Sequence, residues 1–189
     1  MSLDIDKITH MPIPKDLPFQ IGKLGHVVLK VTDLAHSVEF YTQVLGFRVS
    51  DVYPEAMVPG GMVFMRYNTD HHGVALVGGA AARSQAQEMH HMAFEVATLD
   101  EVFRARSHLE SNGVVIDFEG RRRAGCQIAV EFRDPDDHRL EIYWNIDQIG
   151  TEGVVRASEE WRWAHSLEEA LDNPPPGQRP VLGDPTLRR

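Results

Sequence analysis

Cysteine is nearly absent from this 189-residue chain, with Cys126 its only instance. An intrachain disulfide is therefore excluded, a thiolate-rich structural zinc site is too, and a reducing cytoplasmic compartment is expected. No apolar run approaches the roughly 20 residues that cross a bilayer, so no membrane partner is expected. The opening "MSLDIDKITHMPIPKDLPF" has no basic segment followed by an apolar one, and a signal peptide is not expected. Basic residues are in the minority, 19 Lys and Arg against 28 Asp and Glu, for a formal net charge of −9. Nucleic acid is a poor partner for such a chain, because binding it rests on neutralising phosphates. The short cluster "GRRRAG" does not reverse that balance. In surplus is histidine, with ten residues.

The chain is written twice. "GHVVLKVTDLAHSVEFYTQVLGFRV" (Gly25 to Val49) is echoed by "HHMAFEVATLDEVFRARSHLESNGVVI" (His90 to Ile116). Each copy opens with a period-two strand and continues into a helix. One apolar stripe holds Leu34, Val38, Tyr41 and Leu45; its counterpart holds Leu99, Val102, Phe103 and Leu109. Thr98 and Glu101 have the spacing of a capping box, and Gly46 and Gly113 stand where the helices should stop. Three strand-like runs follow in each copy: "FRVSDV", "MVFMRYN" and "HGVALVG", then "VVIDF", "CQIAVEF" and "HRLEIYW". The expected architecture is α+β, two tandem βαβββ modules forming a curled mixed sheet around a shared cavity, with the helices outside. The boundaries expected are an N-terminal arm at 1–21, a first module at 22–80, a linker at 81–87, a second module at 88–146 and an extension at 147–189. Within the extension, "SEEWRWAHSLEEALD" (Ser158 to Asp172) looks amphipathic, and "NPPPG" ends any helix there.

Period two sorts the faces of the strands. Val27, Leu29 and Val31 form an apolar row to pack under a helix, and Met92, Phe94 and Val96 are its counterpart. The opposite rows carry His26 and His91, which superimpose when the copies are aligned, whereas His90 falls on Gly25 and is expected to point away. On the last strand, Leu140, Ile142 and Trp144 are apolar, leaving Arg139, Glu141 and Tyr143 on the His91 side. In the first copy Ala75 takes the place of Glu141. Two imidazoles and one carboxylate thus converge from three strands, the donor set of open non-haem iron sites. Singly, each of these residues has a plainer use, as a hydrogen-bonded core histidine or a solvated carboxylate.

At these residues the chain resembles the vicinal oxygen chelate superfamily, which includes glyoxalase I, bleomycin-resistance proteins and type I extradiol catechol dioxygenases. "LGHVVLKVTDLAHSVEFYTQVLGFRVSD", "TDHHGVAL", "MHHMAFEV" and "FRDPDDHRLEIYW" carry the likeness, over about residues 22–146, and it is nearest to the one-domain dioxygenases. The resemblance implies Fe(II), or less often Mn(II), held by His26, His91 and Glu141. It implies His72 as acid–base catalyst, a role for which imidazole is suited near neutral pH, with His71 a turn residue. Substrates would be a catechol-type aromatic diol and O2.

The sequence departs from the family's pattern in two places. Glu131 stands where extradiol enzymes usually place a tyrosine, on the inward side of a strand whose apolar row is Ile128, Val130 and Phe132. A carboxylate facing inward must find a partner: Arg121, Arg122 or Arg123, a base's role, or the metal. The family's loop histidine is also replaced, within "GRRRAG". Met57, Met62, Phe64 and Met65 are candidates for the walls of an aromatic pocket, or for core. Two other functions remain open, a metal-dependent isomerase, lyase or epimerase with Glu131 as base, and a non-catalytic binding protein. Arms at both ends point to a homo-oligomer.

Overall fold

A computed structural model describes residues 3–12, 18, 21–86, 88–150 and 154–189. Its elements run α1 (Ile5–Thr9), β1 (Val27–Lys30), α2 (Leu34–Glu39), β2 (Arg48–Tyr53), β3 (Met62–Arg66), β4 (Val74–Val77), β5 (Met92–Glu95), α3 (Leu99–Ser111), β6 (Ile116–Arg121), β7 (Ile128–Arg133), β8 (Arg139–Trp144) and α4 (Leu167–Asp172). Strands pair in the orders β1-β4-β3-β2 and β5-β8-β7-β6, so each copy of the repeat makes one four-stranded sheet. In both, the first strand runs parallel to the last, and the other pairings are antiparallel.

Local chemistry explains the helix limits. Thr98 accepts from the Glu101 N–H while the Glu101 side chain accepts from the Thr98 N–H, closing the expected box at the start of α3. Gly46 and Gly113 adopt φ of +72° and +71°, the left-handed turn that releases the chain from each helix. Leu99, Val102, Phe103 and Leu109 are all buried beneath α3. Each such side chain contributes about 1.5–3 kcal/mol by leaving water. The helix following β1 widens after Glu39 into a π-helical turn, Phe40–Val44, which turns Tyr41 fully inward.

The α+β class and the two modules are as expected, but the sheets do not close around a common cavity. Their helix-bearing faces meet instead. Phe94, on the apolar row of β5, packs edge-on against Phe47 at 5.5 Å and against Tyr67 at 5.5 Å. His108 of α3 donates Nε2–H to the Val44 carbonyl at 2.9 Å. Leu29, Val31, Tyr41, Met92, Phe103 and Leu140 join one hydrophobic cluster spanning both modules. Period two identified the apolar face of each sheet, but could not say that these faces would cover one another.

A buried polar latch fixes this packing. The Asp134–Asp136 turn between β7 and β8 reaches the first module, where Tyr41 donates to Asp134 and Ser37 to Asp136 at 3.0 and 2.9 Å. Thr32 gives Asp136 both its N–H and its hydroxyl, each at 2.7 Å.

The extension packs on the second module. Only Leu167–Asp172 of the expected amphipathic stretch is α-helical, preceded by a 3-10 turn at Ser158–Glu160. Between them Ala164 bridges to Arg121, adding a strand-like contact at the edge of β6. Leu167 and Ala170 enter the core, and the buried Arg121 guanidinium bonds the carbonyls of Ala170 and Asn173 at the end of α4. No helix among the described residues is long and apolar enough to cross a membrane.

Candidate functional site

β5 and β8 lie side by side, with Ala93 opposite Glu141 and Met92 opposite Leu140. Met92 and Leu140 are buried, so the alternate residues face the other way, away from the shared core. On that face His91 Nε2 stands 3.3 Å from Glu141 Oε2. Glu141 is 3 % exposed, and burial pushes its carboxyl above the ordinary range, partly offset by Gln127 and His91. Gln127 donates Nε2–H to Glu141 Oε1 at 3.3 Å. The sequence reading missed this glutamine, although it belongs to the same alternate row as Glu131. The contact between His91 and Glu141 is satisfied either by a proton on Nε2 or by a cation bound to both groups.

His90 is not turned away as expected. The described strand begins at Met92, so alternation does not govern the two residues before it. His90 Nδ1 lies 2.8 Å from His91 Nδ1, and both histidines line a cleft of about 300 Å³. Arg139 and Arg133 also line it, and Arg139 Nη1 is 3.4 Å from His90 Nε2.

Glu131 takes the arginine partner among the three uses weighed for it. Arg122 forms a two-pronged pair with it, Nε at 2.7 Å and Nη2 at 2.8 Å. The Arg122 guanidinium also lies 3.7 Å above the Phe118 ring, with Trp163 of the extension nearby. Both carboxylate oxygens of Glu131 are thereby occupied. Arg123 stacks on Trp163 instead.

The other expected residues lie on the first sheet. Leu29, Val74 and Leu76 turn to the core, placing Val28 and Ala75 on the far face, as their counterparts Ala93 and Glu141 are placed. The His26 ring lies 4.6 Å from that of His72, and Phe64 packs on His72 at 5.0 Å. Burial, then the neighbouring His26 and His71, lower the pKa of His72. His71 contacts His72 through Nδ1 at 3.0 Å and lies 3.9 Å from Asp51. Met62 and Phe64 are half-buried on this face, whereas Met65 is buried in the core and Met57 is exposed.

The structure thus brings His91 to Glu141 and His26 to His72, but on two different sheets. Among the described residues no group of three His, Cys, Asp or Glu side chains is placed to hold a metal ion.

Comparison with known proteins places this geometry in a family. Residues 23–142 match the model of the Glyoxalase/Bleomycin resistance protein/Dioxygenase superfamily. A biphenyl-2,3-diol 1,2-dioxygenase from Paraburkholderia xenovorans (strain LB400) is 32 % identical over 146 residues, covering 75 % of this chain and 48 % of the relative. A manganese-dependent 2,3-dihydroxybiphenyl 1,2-dioxygenase from Geobacillus genomosp. 3 is 26 % identical, covering 68 % of this chain and 38 % of the relative. The chain therefore spans about half the length, or less, of these curated relatives. Among solved structures, a glyoxylase/bleomycin resistance protein/dioxygenase domain from Frankia sp. EAN1pec superimposes with a TM-score of 0.57 at 19 % identity, covering 67 % of this chain and 99 % of that one. The duplicated module, its strand order and the family-model match over residues 23–142 agree: the chain belongs to the glyoxalase/bleomycin resistance protein/dioxygenase superfamily.

Proposed function

We propose that this chain is an extradiol-type dioxygenase. It takes a catechol-type aromatic diol and O2, opens the ring beside the hydroxyls, and leaves both oxygen atoms in the product. A divalent metal, Fe(II) or Mn(II), would supply Lewis acidity toward the two vicinal oxygens of the diol. The observation that carries this reading is the buried Glu141 carboxylate, with the His91 imidazole 3.3 Å away and, among the described residues, no arginine or lysine bonded to it. The names of the relatives, biphenyl-diol dioxygenases, support the substrate class.

The donor set fits in part. His91 and Glu141 present nitrogen and oxygen to a common point, but the third expected ligand, His26, is on the other sheet. His72 is the group suited to carry a proton from a diol hydroxyl, because imidazole accepts and returns protons near neutral pH. Phe64, half-buried against His72, offers an apolar wall to an aromatic ring. Arg122 bonds both oxygens of Glu131, which counts against the isomerase or epimerase reading with that carboxylate as base.

The test is anaerobic reconstitution with Fe(II) or Mn(II), followed by O2 uptake and absorbance readings on a panel of catechols and dihydroxybiphenyls. Oxygen consumption matched by a yellow ring-fission product supports the reading. Metal uptake with neither signal on any diol overturns it.

A further inference from the structure

The cleft beside His91 carries more positive charge than the acidic chain around it. Arg122, Arg133 and Arg139 line it, against the carboxylates of Asp117 and Glu131. Arg122 bonds both oxygens of Glu131, and Arg133 Nε bonds Asp117 Oδ2 at 2.7 Å. Two of the three arginines are thus neutralised. Arg139 is not. Among the described residues no carboxylate bonds it, and its neighbour at hydrogen-bond range is the His90 imidazole at 3.4 Å. Its Nε–H is buried and meets no acceptor. A half-buried guanidinium left without a counter-charge is costly, and a chain with 28 Asp and Glu has carboxylates to spare.

We propose that Arg139 is an anion subsite of this cleft, and that the aromatic diol taken by this chain carries a carboxylate. This rests on the diol reading given under Proposed function and narrows its substrate class. A biphenyl-diol, the compound in the relatives' names, has no such group.

The spacing along β8 fits one ring. Arg139 and Glu141 flank the buried Leu140, so both lie on the face opposite to it. Two residues of strand rise about 7 Å, close to the span of a benzene ring bearing one acid group. With the diol oxygens toward Glu141 and His91, a carboxylate at the other end of the ring reaches Arg139. His90 joins the two ends, with His91 on one side at 2.8 Å and Arg139 on the other.

The charges around Arg139 favour an anion there. Arg133 stands directly opposite Arg139 in the β7–β8 pairing, as Glu131 stands opposite Glu141. Like charges so placed destabilise a sheet. Asp117 relieves Arg133, and a bound carboxylate would relieve Arg139 through the charge-assisted bonds that a guanidinium gives to a planar acid. Glu131 does not repel such a ligand strongly, because Arg122 neutralises it. The cleft, about 300 Å³, has the size of a small-molecule site.

Binding without turnover tests this. The Mn(II)-loaded chain is titrated anaerobically with 3,4-dihydroxybenzoate and with its methyl ester, which share ring and diol and differ in charge. The acid should bind roughly 10- to 100-fold more tightly, the range for hydrogen bonds to a charged group. Arg139→Met, similar in length but uncharged, should bring the acid-to-ester ratio near one. Arg139→Lys, which keeps the charge and loses the fork, should hold part of the preference. Equal affinities for acid and ester in the wild type overturn the anion subsite and leave the diol reading standing. A preference for the acid that survives Arg139→Met overturns the assignment to Arg139. Failure of both compounds to bind overturns the subsite and the diol reading together.

Discussion

Tyr41 of the first module donates its hydroxyl to Asp134 of the second at 3.0 Å, and both side chains are buried. Burial, together with the adjacent Asp134 carboxylate, raises the tyrosine pKa well above its ordinary value, so the hydroxyl stays a donor at any physiological pH. Replacing Tyr41 with Phe keeps the ring against Phe47 and removes only the hydroxyl. Asp134 then retains His138 and two backbone N–H groups. The expected loss is about 1.5–3 kcal/mol, the range for one hydrogen bond to a charged group. Urea unfolding should show a lower midpoint with an unchanged slope. An unaltered midpoint would mean that the latch does not hold the modules together.

The same latch sets a pH window. Burial pushes the Asp136 carboxyl up, but the Thr32 and Ser37 donors outweigh it and hold its pKa below the ordinary range. A depressed carboxyl contributes stability that is present above its unfolded pKa and lost as pH falls through the folded value. Burial opposes charge on His138, yet Asp134 outweighs it and raises the pKa. A raised histidine contributes stability that is complete below the unfolded pKa and lost as pH rises through the folded value. The two contributions overlap between about pH 4 and 6.5, the ordinary values for the two groups. Thermal unfolding across pH should weaken on both sides of that window. Asp136→Asn should flatten the acid limb, and His138→Gln the alkaline one.

Why the faces were legible in the sequence and their mutual packing was not follows from what each pattern encodes. Alternation in "MAFEV" and "HRLEIYW" specifies on which side of its strand a residue lies, and Glu141 on the inward row does lie 3.3 Å from His91, just before β5. It carries no information on which apolar face covers which. That depends on the fit of Phe94 against Phe47 and Tyr67, and on where Asp134 finds Tyr41. His90 escaped the alternation because it precedes the strand, and Glu131 had three arginines within reach of which only geometry selects Arg122. The amphipathic-looking stretch Ser158 to Asp172 is not one continuous helix, because strand-like pairing of Ala164 with Arg121 interrupts it.

Arg106 of α3 anchors that extension. It is 1 % exposed, donates to both Glu168 oxygens at 2.9 and 3.1 Å, and lies 3.4 Å from Glu119. Removing Glu168 alone leaves the buried Arg106 guanidinium with only the longer contacts to Glu119 and the Leu187 carbonyl, so it costs more than removing both members of the pair. Glu168→Ala should cost about 3–5 kcal/mol, and Arg106→Leu with Glu168→Leu should recover a large part of it. Hydrogen exchange at α4 should accelerate in the single variant. If the double variant is as unstable as the single, the guanidinium is held by its packing on Phe103 and not by the carboxylate.

In the proposed reaction His72 would carry a proton and would not hold the metal. Its ring touches His26 and Phe64, while its neighbour His71 is more exposed and near Asp51. His72→Phe keeps an aromatic ring in that space and removes the imidazole proposed to carry the proton. Turnover on the diol found in the catechol panel should fall by roughly 10²-fold or more, the size expected for losing an acid–base group, with metal content unchanged. His71→Ala, altering a turn, should retain most of the activity. Loss of metal along with turnover in His72→Phe would make His72 a ligand or its support, and full turnover would remove it from the reaction. Both losses are separable by counting bound metal before the substrate is added, because a proton carrier contributes nothing until the diol arrives.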